Sequence, residues 1–279
     1  MNYVELNIPV SDPLEAEMLI AELAEWPFES FQEETGALKA YIPSDALPKV
    51  KETVDSLLAA REITGARYIE IETQNWNAVW EAQFEPVAVD ERLVIRAPFH
   101  SPAVGDVREI IIMPKMSFGT GHHATTWLMS AEMLDHDFAG RRVLDMGSGT
   151  GVLAILAAKL GAESVMAVDI DEWAYTNSLE NISLNGVAEV VTSIRGDAAA
   201  IRGQHFDVVL ANINRNILLA DMPAYVATLS EQGELIVSGI FETDIEAIER
   251  RAVELGLWPS GQRVKDGWAA LSFRTKSHV

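Results

Sequence analysis

Val143-Leu144-Asp145-Met146-Gly147-Ser148-Gly149-Thr150-Gly151, followed by Val152 to Leu160 and then by Ser164-Val165-Met166-Ala167-Val168-Asp169, decides the fold of this chain. Arg142-Val143-Leu144 is an apolar run of the kind that forms a buried strand. The glycine-dense turn lets the backbone approach a ligand closely, and the helix predicted from Val152 offers free N–H groups at its start. Ser164 to Val168 reads as a second strand that ends in Asp169. In a nucleotide-binding βαβ unit, an acid about 20 residues beyond the first glycine holds a ribose hydroxyl pair.

The spacing also bears on which nucleotide is bound. A dinucleotide fingerprint wants its third glycine at position 152, where Val152 stands, while glycines occupy 147, 149 and 151. Asp145 lies two residues before the first glycine. A carboxylate there repels a pyrophosphate and suits a ligand that carries an ammonium group. S-adenosylmethionine has a ribose for Asp169, an amino-acid tail for Asp145, and no phosphate.

Composition narrows the remaining classes. The chain has 279 residues, enough for one large or two modest domains. No stretch approaches the ~20 apolar residues of a membrane span. Met1 to Glu5 shows no basic segment before an apolar one, so no signal peptide is expected. Cysteine is absent, which excludes disulfides and thiolate chemistry and fits a cytoplasmic protein. The net charge of −21 comes without a Lys/Arg cluster. Direct nucleic-acid binding is therefore not expected, and the charge serves either solubility or a basic partner.

Residues 3–73 read β-α-β-β-α-β, the ferredoxin-like order. Tyr3 to Ile8 alternates like a strand. Asp12 and Pro13 start a helix to Trp26 with Leu14, Met18, Leu19 and Leu23 at helical spacing. Phe28 to Glu33 and Leu38 to Ile42 flank the Glu34-Thr35-Gly36 turn, Ser44 to Ala60 reads as a second helix, and Arg67 to Thr73 alternates again. This unit carries no catalytic constellation and reads as a recognition module. Trp76, Trp80 and Phe84 recur every four residues, the spacing of one face of a packed linker helix. From about residue 91 strands and helices alternate, which predicts a mostly parallel sheet covered on both faces.

The strand predicted over Phe206 to Ala211 delivers Asn212-Ile213-Asn214-Arg215 to the ligand edge of such a sheet. An amide carbonyl there can accept from a substrate N–H while the amine lone pair faces a methyl donor. Asn can equally cap the following helix, and the local sequence leaves both readings open. Ser117 to Thr126 is a second Gly-rich loop, whose Phe118, Gly119 and Thr120 can close over the ligand. His122 and His123 are adjacent and so do not share a face, and no His-Glu-x-x-His pattern occurs, which argues against a metal.

These segments together resemble the bacterial ribosomal protein L11 methyltransferase family. The resemblance rests on Phe118 to Thr126, Asp145 to Gly151, Val168 to Asp171, Ala211-Asn212-Ile213 and Ser238-Gly239-Ile240, and it spans nearly the whole chain. It implies a class I methyltransferase-type doubly wound, Rossmann-like α/β domain over residues 91–279. Ahead of that it implies a ferredoxin-like substrate-recognition domain over 1–74 and a linker helix over 75–90. It implies S-adenosylmethionine contacts for Thr126, Gly147, Asp169 and Asn212, to which the motif reading adds Asp145, Gly149 and Gly151. It further implies a cytoplasmic enzyme that methylates α-amines and lysine side chains of a ribosomal protein. The family usually has Cys where Ser148 stands and Pro where Ala124 stands. Alternatives are an N-methyltransferase of another protein or of a small amine, and a non-catalytic cofactor-binding module. Enzymes acting on amide-type nitrogens usually show Asn-Pro-Pro-Tyr, where this chain has Asn-Ile-Asn-Arg.

Overall fold

The computed structural model describes residues 2–71, 81, 84–115 and 117–275, and divides into two compact units at Gln83/Phe84. Trp76 and Trp80 of the expected linker helix lie outside the described residues.

The first unit runs β1 (Tyr3–Pro9), α1 (Pro13–Leu23), β2 (Ser30–Glu34), β3 (Ala37–Pro43), α2 (Leu47–Ala60) and β4 (Arg67–Ile71). Its sheet has the order β2-β3-β1-β4 with every neighbour antiparallel, the ferredoxin-like arrangement. Val4, Leu6 and Ile8 of β1 and Leu38, Ala40 and Ile42 of β3 are buried at alternate positions, as a sheet with one covered face requires. Asp12 caps α1 by accepting from the Leu14 N–H at 3.0 Å. The buried stripe of α1 is Ala16, Leu19 and Leu23, and the expected core residues Leu14 and Met18 face outward. Three and seven residues separate the stripe from Ala16, the spacing of one helical face, and Leu14 and Met18 fall off it. The second helix starts at Leu47 rather than at Ser44. Pro48 is tolerated only in a first turn, so the helix cannot begin much earlier.

The second unit opens with a small sheet of β5 (Val87–Val89), β6 (Leu93–Arg96) and β7 (Arg108–Ile111) in that order. β5 occupies residues that the sequence reading gave to the linker helix. Ala88 and Val89 alternate between exposed and buried positions against β6, the period of a strand.

Then follow α3 (Ala124–Met133), β8 (Arg142–Met146), α4 (Val152–Lys159), β9 (Ser164–Asp169), α5 (Glu172–Leu184), β10 (Val191–Arg195) and β11 (Phe206–Asn212). The chain continues through α6 (Arg215–Thr228), β12 (Leu229–Phe241), a 3₁₀ turn (Glu242–Asp244), α7 (Ile245–Glu254), β13 (Leu257–Lys265) and β14 (Trp268–Thr275). The seven strands are ordered β10-β9-β8-β11-β12-β14-β13. The first five are parallel, and β14 inserts antiparallel between β12 and β13. Successive residues of the central strands enter opposite cores. Val143, Val208, Leu210 and Ile236 join one with Met129, Ile155 and Leu156. Leu144, Val209, Ala211, Leu235 and Val237 join the other with Leu218, Met222, Tyr225 and Ile248. Two buried faces explain why these strands read as unbroken apolar runs. Strand β12 is far longer than the expected Glu234–Val237 stretch and carries Gln232 at φ +64° within it.

Helix α3 is rooted at its C-terminal end. The Glu132 carboxylate accepts from Arg263 Nε at 2.6 Å and from the Ser272 hydroxyl at 2.6 Å, and its Oε1 lies 3.2 Å from His136 Nε2. His136 Nδ1 lies 2.5 Å from Glu234. Two carboxylates around one imidazole hold His136 protonated, with its pKa raised to about 9. Burial opposes ionisation of Glu132, but the hydrogen bonds from His136, Ser272 and Arg263 outweigh it and bring its pKa down to about 2.

Candidate functional site

In an open sheet the ligand crevice opens beyond the carboxyl ends of the strands, where the strand order reverses. Here that point lies between β8 and β11, whose last paired residues are Met146 and Ala211. Asp145, Gly147 and Asn212 therefore meet at one edge, and Asp169 closes β9 beside them.

The glycine turn is held to β9 by backbone. Gly147 and Ser148 donate to the Val168 carbonyl at 2.8 and 3.1 Å. Gly149 donates to Asp169 Oδ2 at 2.8 Å, and Asp171 N donates to Asp169 Oδ1 at 3.0 Å. Asp169 thus clamps the turn as well as standing where a ribose would lie, a role the spacing did not reveal. Each carboxylate oxygen keeps a second lone pair for a hydroxyl donor. Gly147, Gly149 and Gly151 all adopt positive φ.

The second Gly-rich loop docks onto the first. Thr150 N donates to the Phe118 carbonyl at 2.9 Å, and the Thr150 hydroxyl donates to the Gly119 carbonyl at 2.7 Å. A Cβ on Gly149 would collide with the Phe118 carbonyl oxygen, and one on Gly119 would collide with the Thr150 hydroxyl. Only glycine permits the approach on both sides. Phe118 itself stays exposed, and the Thr120 hydroxyl lies 3.2 Å from His122 Nδ1.

Several buried polar atoms at this edge have no partner among the described residues: Asp145 Oδ1, Thr126 Oγ1, Ser148 Oγ and Asn212 Oδ1. Buried polar atoms are normally satisfied, so such a cluster is a cradle shaped for a polar ligand. Asp145 is the most extreme. It is 0 % exposed, and its Oδ2 accepts only from Ala154 N at 3.0 Å. Burial drives its pKa up to about 7, with a further push from Asp169. An ammonium at Oδ1 would supply the missing donor and relieve that burial. The donor set therefore fits S-adenosylmethionine. Its carboxylate pair suits a ribose and an ammonium.

The two asparagines after β11 separate cleanly. Asn214 caps α6, accepting from Ile217 N at 3.1 Å. Asn212 makes no cap, and its carbonyl oxygen is left unpaired. It lies in a cleft of about 270 Å³ lined also by Phe118, His123, Thr125, Ile213 and Trp268. His123 meets Phe118 at 5.2 Å and Trp268 at 4.8 Å between ring centroids. Its Nδ1 accepts from Thr125 N at 3.2 Å and caps α3. His122 donates from Nε2 to the Glu85 carbonyl at 3.0 Å, and its Nδ1 lies 3.2 Å from the Thr120 hydroxyl. Among the described residues no three His, Cys, Asp or Glu side chains are placed to hold a metal.

Trp268 escaped the sequence reading. It begins β14, and only the insertion of that strand beside β12 brings it opposite Phe241 at this edge. Strand order across a sheet leaves no local signal. His123 and Thr125 did lie within the second Gly-rich loop, whose spacing marks a loop and not which of its side chains turn inward.

This sheet order and edge define a class I S-adenosylmethionine-dependent methyltransferase. The family model described as ribosomal protein L11 methyltransferase matches residues 11–276, and the chain belongs to that family. It is 45% identical to the ribosomal protein L11 methyltransferase of Porphyromonas gingivalis over 94% of this chain and 91% of that one. The enzyme of the same name from Bacteroides fragilis is 43% identical over 98% and 99%. Among solved structures, the ribosomal protein L11 methylase of Lactobacillus delbrueckii subsp. bulgaricus superposes with a TM-score of 0.64 at 30% identity. It covers 69% of this chain and 100% of that one.

Proposed function

We propose that this chain transfers methyl groups from S-adenosylmethionine to amino groups, both α-amine and lysine, of ribosomal protein L11 in the cytoplasm. The names of its relatives support that substrate. The observation that carries the chemistry is the unpaired, buried carbonyl of Asn212 inside an aromatic-walled cleft.

The cofactor supplies an electrophilic sulfonium methyl, so the protein's task is alignment rather than activation of the donor. Asn212 Oδ1 accepts one N–H of the acceptor amine and turns its lone pair along the transfer line. The amine must be neutral. A free lysine near pKa ~10.4 costs about 4.6 kcal/mol to deprotonate at pH 7, at ~1.36 kcal/mol per unit, while an α-amine near ~8 costs about 1 kcal/mol. The walls from Phe118, His123 and Trp268 desolvate the ammonium and favour the neutral form. The cleft is open, so the displaced proton has a path to solvent.

Thr126, Asp145, Gly147, Gly149, Gly151 and Asp169, with the Phe118-Gly119-Thr120 loop, would hold the cofactor. The ferredoxin-like unit would recognise the substrate, and the net charge of −21 favours a basic protein partner. No helix among the described residues is long and apolar enough to cross a membrane. The test is incubation of the chain with labelled cofactor and separated ribosomal proteins, read by mass spectrometry. Label confined to L11 amines supports the reading. Label elsewhere, or only on small amines, redirects it.

A further inference from the structure

We infer that a second cleft beside Asn212 holds the extended peptide segment next to the acceptor residue, with Phe241 as its specificity-determining wall; this rests on the reading of the chain as a protein methyltransferase. The acceptor cleft of about 270 Å³ shares Asn214, Gly239 and Trp268 with a neighbour of about 440 Å³. Arg215, Asn216, Phe241 and Asp244 complete that neighbour, so the two form one trench along the sheet edge. A small amine and its alkyl stem occupy only the first part. A polypeptide that delivers an amine to Asn212 must lay its adjoining residues on the surface beside it.

That surface is built for a backbone. Phe241 is 53 % exposed, yet its ring stacks on Trp268 at 4.2 Å and 29°. An aromatic held flat and open at a trench wall offers apolar contact at little ordering cost. The Asp244 carboxylate fixes both sides. Its Oδ2 accepts from Phe241 N at 3.2 Å, and its Oδ1 pairs with Arg215 Nε at 3.2 Å. Asn214, Asn216 and Arg215 carry side-chain N–H donors, which suit a ligand rich in carbonyl acceptors. Arg215 and Asp244 of the cleft neutralise each other. The cleft therefore reads backbone carbonyls and an apolar side chain, whereas the protein's overall acidity acts at longer range.

The experiment compares purified L11 with Nα-acetyl-lysine amide as acceptors for the full chain. Phe241→Ala is expected to raise KM for the protein about tenfold, the cost of truncating an interface aromatic. The ratio of protein KM to small-amine KM rises with it, and the cofactor Kd stays within about twofold by calorimetry. Phe241→Tyr restores the protein KM. Asn216→Asp, an exposed first-turn change that removes a donor pair, raises protein KM in the same direction and guards against a misfolded Ala variant. A protein KM unchanged in both variants overturns the cleft. So does a cofactor Kd that moves as far as KM, because Phe241 would then act through Trp268 on the cofactor edge. If the unmodified chain methylates the small amine but not L11, the underlying reading fails instead.

Discussion

The carbonyl of Phe118 accepts the N–H of Thr150 at 2.9 Å, so two Gly-rich loops far apart in sequence form one ligand-facing surface. Gly149 makes this possible. Its φ of +53° and its missing Cβ leave room for the Phe118 oxygen. A left-handed alanine costs about 1–2 kcal/mol even without a collision. Gly149→Ala is therefore expected to lower the melting temperature and weaken cofactor binding more than tenfold, by calorimetry, while Thr150→Ser keeps both bonds and stays close to the parent. Unchanged affinity in the alanine variant would show that the loops act independently.

If Asp145 holds the cofactor's ammonium as proposed, cofactor affinity is expected to depend on pH. Its carboxyl is fully buried, one oxygen lacks a partner, and its pKa is pushed up to about 7. A bound ammonium prefers the carboxylate, so affinity rises as pH climbs from 6 through 7, and binding near pH 7 releases a proton. Calorimetry in buffers of different ionisation enthalpy reads that proton. Asp145→Asn should flatten the pH profile. A variant that retains the full slope would move the ammonium elsewhere.

The His136 network sets a stability limit on the alkaline side. Its pKa rises from 6.5 to about 9 on folding, because Glu132 and Glu234 both face it. Arg263, Arg141 and Arg274 also approach these carboxylates. A raised histidine pKa stabilises most below the unfolded value of 6.5, and that contribution is lost as pH climbs through about 9. At about 1.4 kcal/mol per pH unit it amounts to at most ~3.5 kcal/mol. Melting temperature should fall between pH 7 and 10, and His136→Gln should be less stable at pH 6.5 yet less sensitive to that rise. Parallel profiles for the two proteins would remove His136 from the account.

The parts of this fold that were legible are those written in short periods. Alternation in β1 and the Asp12-Pro13 start of α1 act within a few residues, and the spacing from Gly147 to Asp169 stays within a single strand–helix–strand unit. What could not be read depends on pairing across the chain. Leu14 and Met18 match a helical stripe, but the sheet lies under Ala16 and Leu19 instead. Trp268 meets Phe241 only because β14 runs antiparallel into the sheet. The Glu132–Arg263 contact joins residues 131 positions apart, and nothing near either one announces it.

Asn212 and Asn214 provide the sharpest test, because they are the same residue type two positions apart with opposite duties. Asn214 accepts from Ile217 N at the start of α6, whereas the Asn212 carbonyl is buried and unpaired beside the aromatic cleft. Asn214→Ala should therefore cost about 1 kcal/mol of stability, the usual worth of a lost cap. Its turnover is expected to fall far less than that of the Asn212 variant. Asn212→Ala removes no protein hydrogen bond at its carbonyl and should melt close to the parent. Its turnover should fall by about 100-fold, the penalty of a reacting group displaced by about 1 Å. Cofactor Kd must be measured on the same samples. A loss confined to affinity would place Asn212 against the cofactor alone, and a loss confined to turnover at saturating cofactor would place it on the amine. If Asn212→Ala instead loses stability and keeps its rate, its carbonyl orients no amine.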